Sequence, residues 1–68
     1  MRINLAVERL RRNQTQKIVA EATGITSQML SDYELGKTTP TLNTMLKIAR
    51  YYGKSIEELF NQESEENV

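Results

Sequence analysis

The sequence contains neither cysteine nor histidine. Disulfide bonds, thiolate chemistry and the usual zinc sites are therefore excluded. Carboxylates are the remaining candidate metal ligands, but no stretch of the sequence clusters them with the spacing of a calcium-binding loop. We therefore expect no bound metal and no cofactor, and no feature of the sequence indicates a small-molecule ligand.

Long hydrophobic runs are also missing. No apolar stretch approaches the roughly 18 residues that a membrane-spanning helix needs, and the amino terminus lacks the apolar core of a signal peptide. The chain has 68 residues, which is enough for one domain. A domain of this size buries only roughly 60% of the surface of its unfolded chain. We expect a soluble, cytoplasmic protein without a membrane partner.

Positive and negative charges cancel over the whole chain but not locally. Residues 1–56 contain all nine lysines and arginines against four acidic residues, so this part carries a formal charge of plus five. Residues 57–68 contain five glutamates and no basic residue. A basic body suits a polyanionic partner such as nucleic acid. The acidic end is expected to keep the protein soluble, or alternatively to compete with phosphate for the basic face.

Two short helical patterns meet at Gly24 within residues 16–36. Thr15 can cap the first pattern and Thr26 the second, because a threonine hydroxyl accepts hydrogen bonds from the exposed N–H groups of a first helical turn. Gly24 and Gly36 suit the left-handed backbone conformation in which many helices end. This stretch is therefore expected to form two helices joined by a tight turn.

The spacing of three residues indicates how these two helices are arranged. Two helices that cross steeply need a small side chain at their contact, a glycine at the corner and an apolar residue that points back into the angle. Ala20, Gly24 and Leu30 stand at places five, nine and fifteen when Gln16 is counted as the first. This is the pattern of a helix-turn-helix, whose second helix enters the major groove of DNA.

Helical patterns also lie on both sides of this stretch. In residues 2–12 the periodicity predicts a helix with one apolar face, formed by Ile3, Ala6, Val7 and Leu10 with Leu5 beside them. After Pro40, Thr41 can cap another helix. Its predicted apolar stripe consists of Leu42, Met45, Leu46, Ala49 and Tyr52. Ser55 and Glu58 fit a capping box that opens a short last helix. No strand alternation is visible, so we expect an all-α fold.

The whole series resembles the Cro/phage-repressor family of helix-turn-helix proteins, also called the xenobiotic response element family. The residues that carry the resemblance are Thr15, Gln16, Ala20, Gly24, Ile25, Thr26, Leu30, Ser31, Glu34, Gly36 and Pro40. The match runs from about Leu5 to Phe60. It implies a compact, five-helix, lambda-repressor-like DNA-binding domain in residues 1–60, followed by a flexible acidic tail in residues 61–68.

The resemblance also implies which residues read DNA bases. The recognition helix is expected at about residues 27–35, and the positions that match base-reading residues of the family are Ser27, Gln28 and Asp32. Glutamine can form two hydrogen bonds with adenine, whereas aspartate accepts only from cytosine. The negative charge of Asp32 leaves two alternatives, which are repulsion of phosphate and pairing with a basic side chain of the protein itself.

Contacts to the DNA backbone are implied at Gln16, Thr26, Lys37, Thr38 and Thr39. Gln16 combines a side-chain amide with a helix amino terminus, which suits a phosphate oxygen. The alternative for Gln16 is an ordinary residue at a helix start, and that for Lys37 is a solvated loop lysine. Arg9 and Glu34 match a pair that resembles a buried structural salt bridge in the family.

The function that the resemblance implies is sequence-specific binding of double-stranded DNA by a small transcriptional regulator, which we expect to be a repressor. A homodimer on a pseudo-palindromic operator is expected, formed in solution or only on DNA, with its interface in the region of the last two helices near Leu59 and Phe60. The alternative is an antitoxin-like or antirepressor-like module that binds another protein, because residues 26–35 contain no lysine or arginine. No positioned nucleophile or cofactor loop accompanies the carboxylates, so we expect no enzyme activity.

Overall fold

Five α-helices connected by short turns and loops make up the chain as a computed structural model describes it, over residues 1–60. They are α1 (Ile3–Arg11), α2 (Gln16–Thr23), α3 (Ser27–Leu35), α4 (Leu42–Tyr52) and α5 (Ile56–Phe60). No strand occurs in these 60 residues, and none of their helices is long and apolar enough to cross a membrane. The predicted all-α, five-helix class is confirmed. The predicted acidic tail lies outside the described residues.

The predicted helix ends around the central turn are confirmed. The hydroxyls of Thr15, Thr26 and Thr41 each accept a hydrogen bond from the backbone N–H three residues later, at 3.2, 3.0 and 3.3 Å. Gly24 and Gly36 end α2 and α3 with φ angles of 75° and 79°. A residue with a Cβ would be strained in this left-handed conformation. The turn between α2 and α3 is therefore fixed by local sequence.

The start of α5 is a reciprocal capping box, as predicted. The Glu58 N–H donates to Ser55 Oγ, and the Ser55 N–H donates to Glu58 Oε1, both at 3.1 Å. The hydrogen bond from the Ser55 N–H lowers the pKa of Glu58, because it favours the charged carboxylate. The box begins a helix of only five residues, which inserts Leu59 and Phe60 into the core.

All five helices contribute side chains to the core, with α2 and α3 packed against each other and α5 packed against α1 and α4. Its most deeply buried apolar side chains are Leu5, Val19, Leu30, Ile48 and Leu59. Ala20 is also buried, on α2, where a small side chain allows the helices to approach closely. The predicted roles of Ala20 and Leu30 at the crossing are therefore confirmed, and α3 rests on a packed support.

The predicted apolar face of α1 is wrong for three of its four residues. Ile3, Val7 and Leu10 are exposed, with 53%, 38% and 59% of their surface accessible. Four residues of this segment are buried, namely Arg2, Leu5, Ala6 and Glu8, and Arg9 is half-buried. The sequence pattern was misleading because both arginines find acceptors at the end of α3. A guanidinium with such partners can be buried, and it then displaces aliphatic side chains to the outside.

The predicted apolar stripe of α4 is correct except at Leu42, in its first turn. Ala49 and Tyr52 are buried, Met45 and Leu46 are half-buried, and Leu42 is exposed. Ile48, which lay outside the predicted stripe, is fully buried. The buried face is therefore rotated towards Ile48, because α4 packs against both α2 and α5. The first turn of α4 extends beyond this contact, which explains the exposed Leu42.

Candidate nucleic-acid interface

The two faces of α3 differ sharply in burial. Leu30 and Tyr33 are buried on the inner face. Ser27 and Gln28 are exposed in the first turn, and the Thr26 hydroxyl caps that turn through the Met29 N–H. Because the core fixes the inner face and the cap fixes the start of the helix, the two exposed polar side chains project from a rigid base.

Gln28 and Asp32 contact each other one helical turn apart. The Gln28 Nε2 donates to Asp32 Oδ1 at 3.0 Å. Within residues 1–60 the partner of the Asp32 carboxylate is thus a neutral amide rather than a basic side chain of the protein. One amide hydrogen of Gln28 is occupied, while the second hydrogen and Oε1 remain available. A donor beside an acceptor is the pair that matches the major-groove edge of adenine.

Glu34 joins α1, α2 and α3 at a single buried carboxylate. Arg9 Nε and Nη2 donate to its two oxygens at 2.8 and 3.1 Å, and Gln16 Nε2 donates to Oε1 at 3.1 Å. The carboxylate raises the pKa of the Arg9 guanidinium, chiefly through this hydrogen bonding. The structure therefore brings together two residues expected to form a salt bridge and one expected to contact phosphate. The remaining amide hydrogen of Gln16 is its available donor.

The loop between α3 and α4 carries the other three candidate backbone contacts. Lys37, Thr38 and Thr39 are all exposed. The Lys37 N–H donates to the Asp32 carbonyl oxygen at 2.9 Å, which fastens the start of the loop to the last turn of α3. Pro40 is buried and ends the segment. Lys37, Thr38 and Thr39 thus lie between two fixed points, with their side chains open to solvent.

Sequence reasoning missed Arg2, which lies beneath this loop with only 1% of its surface accessible. Its Nη1 donates to the carbonyl oxygens of Tyr33 and Thr38 at 2.8 and 2.6 Å, and its Nη2 donates to Thr39 Oγ1 at 2.9 Å. No local signal in the sequence marks Arg2, because the carbonyl oxygens that accept from it lie 31 and 36 residues further along the chain.

A second charged cluster lies between α1 and α4. Arg12 donates to Glu8 Oε1 at 2.8 Å and to the Tyr52 carbonyl oxygen at 2.7 Å. The hydrogen bond from Arg12 lowers the pKa of Glu8. The Arg12 guanidinium also lies 5.0 Å from the centre of the Tyr52 ring, within the range of a cation–π contact. This cluster fastens the ends of two helices and contains none of the candidate DNA contacts.

An open groove lies between α4 and α5. Its apolar lining includes Leu46, Ala49 and Ile56. Arg50 and Glu57, which carry opposite charges, also line it and are both exposed. By contrast, Leu59 and Phe60 are buried inside the same molecule. The expectation of a dimer surface near these two residues stays a prediction, since Phe60 also lines a smaller groove with Met45, Ile56 and Glu57.

No group of three or more acidic residues that could hold a metal ion is found within the described part of the chain. The candidate site consists of amide, hydroxyl and ammonium groups and the Asp32 carboxylate, on α2, α3 and the following loop. Such groups form hydrogen bonds with base edges and phosphate oxygens.

Comparisons with known proteins place the chain among related sequences. The sequence model of the helix-turn-helix family matches residues 5–59. The chain is 35% identical over 66 residues to an uncharacterized HTH-type transcriptional regulator of Methanocaldococcus jannaschii, covering 97% of this chain and 100% of the relative. It is 33% identical over 66 residues to an uncharacterized HTH-type transcriptional regulator of Archaeoglobus fulgidus, covering 97% of this chain and 93% of the relative. No solved structure matches it significantly.

Proposed function

The chain belongs to the helix-turn-helix family of transcriptional regulators, and from this membership we propose that it binds double-stranded DNA sequence-specifically, with α3 in the major groove. As a member of a family of regulators, it is not an enzyme. The domain that binds is residues 1–60. The proposed DNA partner also implies a cytoplasmic place of action.

One observation carries this proposal, namely the exposed polar first turn of α3 on a buried base. Ser27 and Gln28 are open to solvent, while Leu30 and Tyr33 on the same helix are in the core. A helix can read bases only if its side chains reach into the groove without losing their support. The amino-terminal turn of α3 is exposed and rests on buried residues, which supports this role.

The base-reading residues proposed are Ser27, Gln28 and Asp32. Gln28 is the main reader, because its remaining N–H and its Oε1 together fit adenine. Each well-formed pair of this kind contributes about 1–3 kcal/mol of discrimination against a wrong base. Ser27 can donate or accept at a neighbouring position. Asp32 holds the Gln28 amide and keeps an oxygen that could accept from cytosine.

The backbone contacts proposed are Gln16, Thr26, Lys37, Thr38 and Thr39. Because residues 26–35 contain no lysine or arginine, attraction to phosphate comes from groups outside α3. Gln16 presents an amide hydrogen at the start of α2, where the helix dipole also favours a phosphate. Lys37 supplies a full positive charge on the loop after α3. These contacts set the position of α3 but carry no sequence information.

We propose a homodimer on a pseudo-palindromic operator, with half-site centres ~34 Å apart, one turn of the double helix. The groove between α4 and α5 supports this arrangement. It offers Leu46 and Ile56 as apolar contacts, and the opposite charges of Arg50 and Glu57 could pair across a two-fold axis. The regulatory outcome proposed is repression, because a dimer bound over a promoter blocks it without any further surface.

A second candidate function is that of an antitoxin-like or antirepressor-like module that binds another protein. The exposed apolar residues Ile3, Val7 and Leu10 favour it, since they lie at helical spacing along one side of α1. The absence of basic residues from α3 favours it as well. This reading predicts weak binding of DNA without sequence preference.

Selection of binding sites from random DNA, followed by gel shift at two salt concentrations, tests the proposal. A sequence-specific binder should enrich a site with two related halves. Its affinity should fall linearly with salt on a log–log plot, with a slope of about 0.9 for each phosphate contacted. Scrambled DNA of equal length is the control. Equal affinity for selected and scrambled DNA would instead support the protein-binding module.

A further inference from the structure

We propose that Arg2 is a positioning residue for DNA binding, because it fixes the shape of the loop that carries Lys37, Thr38 and Thr39. This inference rests on the proposed function, since it assigns to that loop a contact with the phosphate backbone. Arg2 itself is buried and therefore touches no phosphate. It acts through the loop residues above it.

The guanidinium of Arg2 connects two parts of the chain. Its Nη1 donates both to the Tyr33 carbonyl oxygen, in the last turn of α3, and to the Thr38 carbonyl oxygen in the loop. Its Nη2 donates to Thr39 Oγ1. The Arg2 N–H also donates to the Glu34 carbonyl oxygen at 2.9 Å. Arg2 is thus fixed to α3 through both its main chain and its side chain. Its bonds to Thr38 and Thr39 therefore hold the loop in a fixed position relative to α3.

The amino terminus passes close to the end of α3, at a residue where glycine is strongly favoured. Gly36 has a φ of 79°, and a Cβ at this residue would lie 3.3 Å from the Met1 backbone nitrogen. The left-handed conformation turns the chain into the loop, and the missing Cβ leaves room for the first residues to cross. Both features of Gly36 bring Arg2 beneath Thr38 and Thr39.

The bond to Thr39 also directs the Thr39 hydroxyl. Because Oγ1 accepts from Arg2, its own hydrogen must point to another acceptor. Thr39 is exposed, so the O–H is free to meet a phosphate oxygen from outside. The Thr38 carbonyl is held inward by the same guanidinium, which keeps the peptide between Thr38 and Thr39 in one orientation. Arg2 therefore orients a donor as well as the backbone.

Arginine is the side chain that this task requires. A buried cation is costly unless its hydrogens find acceptors, and an apolar residue could fill the same space without that cost. The planar fork of arginine reaches several acceptors at fixed angles, whereas the single ammonium of lysine cannot span them. The role of Arg2 is therefore to fix the conformation of the loop, rather than to fill space or to supply charge.

The experiment compares Arg2→Lys and Arg2→Met with Arg12→Lys. The lysine variant keeps the charge and loses the fork, so it separates positioning from long-range attraction. Arg12 also donates to main-chain carbonyl oxygens, those of Glu8 and Tyr52, but contacts no loop residue between α3 and α4. It is the matched control. Each variant is first shown to be folded by its melting curve, and Arg2→Lys is the informative variant if Arg2→Met does not fold.

Two measurements follow, one without DNA and one with it. In the free protein, ¹⁵N relaxation order parameters of Thr38 and Thr39 should fall from about 0.85 towards about 0.6 in the Arg2 variants only. On a site selected by the wild-type protein, Arg2→Lys should bind about tenfold more weakly. Its preference among bases should be unchanged, and its salt slope should be smaller by about one phosphate contact.

The outcomes distinguish this inference from the proposed function. If the order parameters of Thr38 and Thr39 do not change, Arg2 does not fix the loop and the inference is overturned. A more mobile loop with unchanged affinity also overturns it, because the loop is then no part of the DNA contact. If the wild-type protein selects no site, the proposed function fails independently of the result for the loop, and the inference fails with it.

Discussion

The Gln28 amide donates a hydrogen bond to the Asp32 carboxylate across one turn of α3, at 3.0 Å. This contact limits the free rotation of the glutamine side chain and leaves its second N–H and its Oε1 on the outer side. An acidic residue on a helix that faces DNA otherwise opposes binding, because it repels phosphate. Asp32 is thus expected to help base discrimination, by orienting Gln28, and to lower affinity, by repelling phosphate. Substitutions at position 32 can separate these two effects.

Asp32→Asn should raise affinity for all DNA sequences and keep the preference at the base that Gln28 is proposed to read, because an asparagine oxygen can still accept from the Gln28 amide. Asp32→Ala should raise affinity as well but reduce that preference about twofold, since pairs of this kind contribute only about 0.2–0.5 kcal/mol. Competition binding with single-base variants of the selected site measures both quantities. Loss of a preference for cytosine in both variants would mean that Asp32 reads a base directly.

Gln28 and Gln16 are both glutamines, but Gln28 is proposed to read a base and Gln16 to contact the DNA backbone. The same substitution at each position is therefore the control for the other. Gln28→Ala should lose about 1–3 kcal/mol at one base pair and leave affinity for other sequences nearly unchanged. Gln16→Ala should weaken binding of all sequences to a similar extent. The measurement is the ratio of affinities for the selected site and a site altered at one base. Uniform weakening in both variants would show that Gln28 only positions the protein.

The central turn could be predicted from the sequence because its determinants are local. Thr15, Thr26 and the two glycines act on residues within one helical turn, and Ala20 and Leu30 are fixed relative to them by helical spacing. The same holds for the capping box of Ser55. In each case the physical cause lies within a few residues of its effect, so the order of residues was sufficient.

The inner face of α1 could not be predicted because its determinants are distant in sequence. Periodicity favoured Ile3, Val7 and Leu10 as core residues. Whether Arg2 can be buried depends on acceptors at the Tyr33 and Thr38 carbonyls, 31 and 36 residues away. A sequence does not reveal such carbonyls before the end of α3 has been placed. The link between Arg2 and the candidate phosphate contacts was missed for the same reason.

Glu34→Gln should cost roughly 3–5 kcal/mol of unfolding free energy, because it leaves the Arg9 guanidinium without its anionic partner. The side chains of Arg9 and Glu34 are only 14% and 4% exposed, so water cannot replace the lost contact. Arg11→Gln is the matched control. Arg11 pairs with Glu8 at 3.2 Å but its side chain is 64% exposed, and its loss should cost less than about 1 kcal/mol. Urea denaturation measures both, and equal costs would contradict a buried pair at Glu34.

Tyr52→Phe should leave the protein at least as stable at neutral pH and more stable at alkaline pH. The Tyr52 hydroxyl oxygen is buried without a hydrogen-bond partner among residues 1–60, so its removal relieves an unsatisfied group and could contribute about 1 kcal/mol. Burial raises the pKa of Tyr52 from 10.0 to about 12. The folded protein therefore holds this proton more tightly than the unfolded chain, which already ionises at pH 10.

In the wild-type protein, the folded state is favoured by keeping Tyr52 protonated. This stabilisation is complete below pH 10 and is lost as the pH rises from 10 to about 12. The loss is on the order of 2 kcal/mol. Unfolding free energies from urea titrations at pH 7, 10 and 11.5 should show a decline in the wild type that is smaller in Tyr52→Phe. Tyr51→Phe is the control, since its ring lies 5.4 Å from that of Tyr52 and it leaves the buried hydroxyl in place. An equal alkaline decline in wild type and Tyr52→Phe would show that Tyr52 is not the buried group responsible.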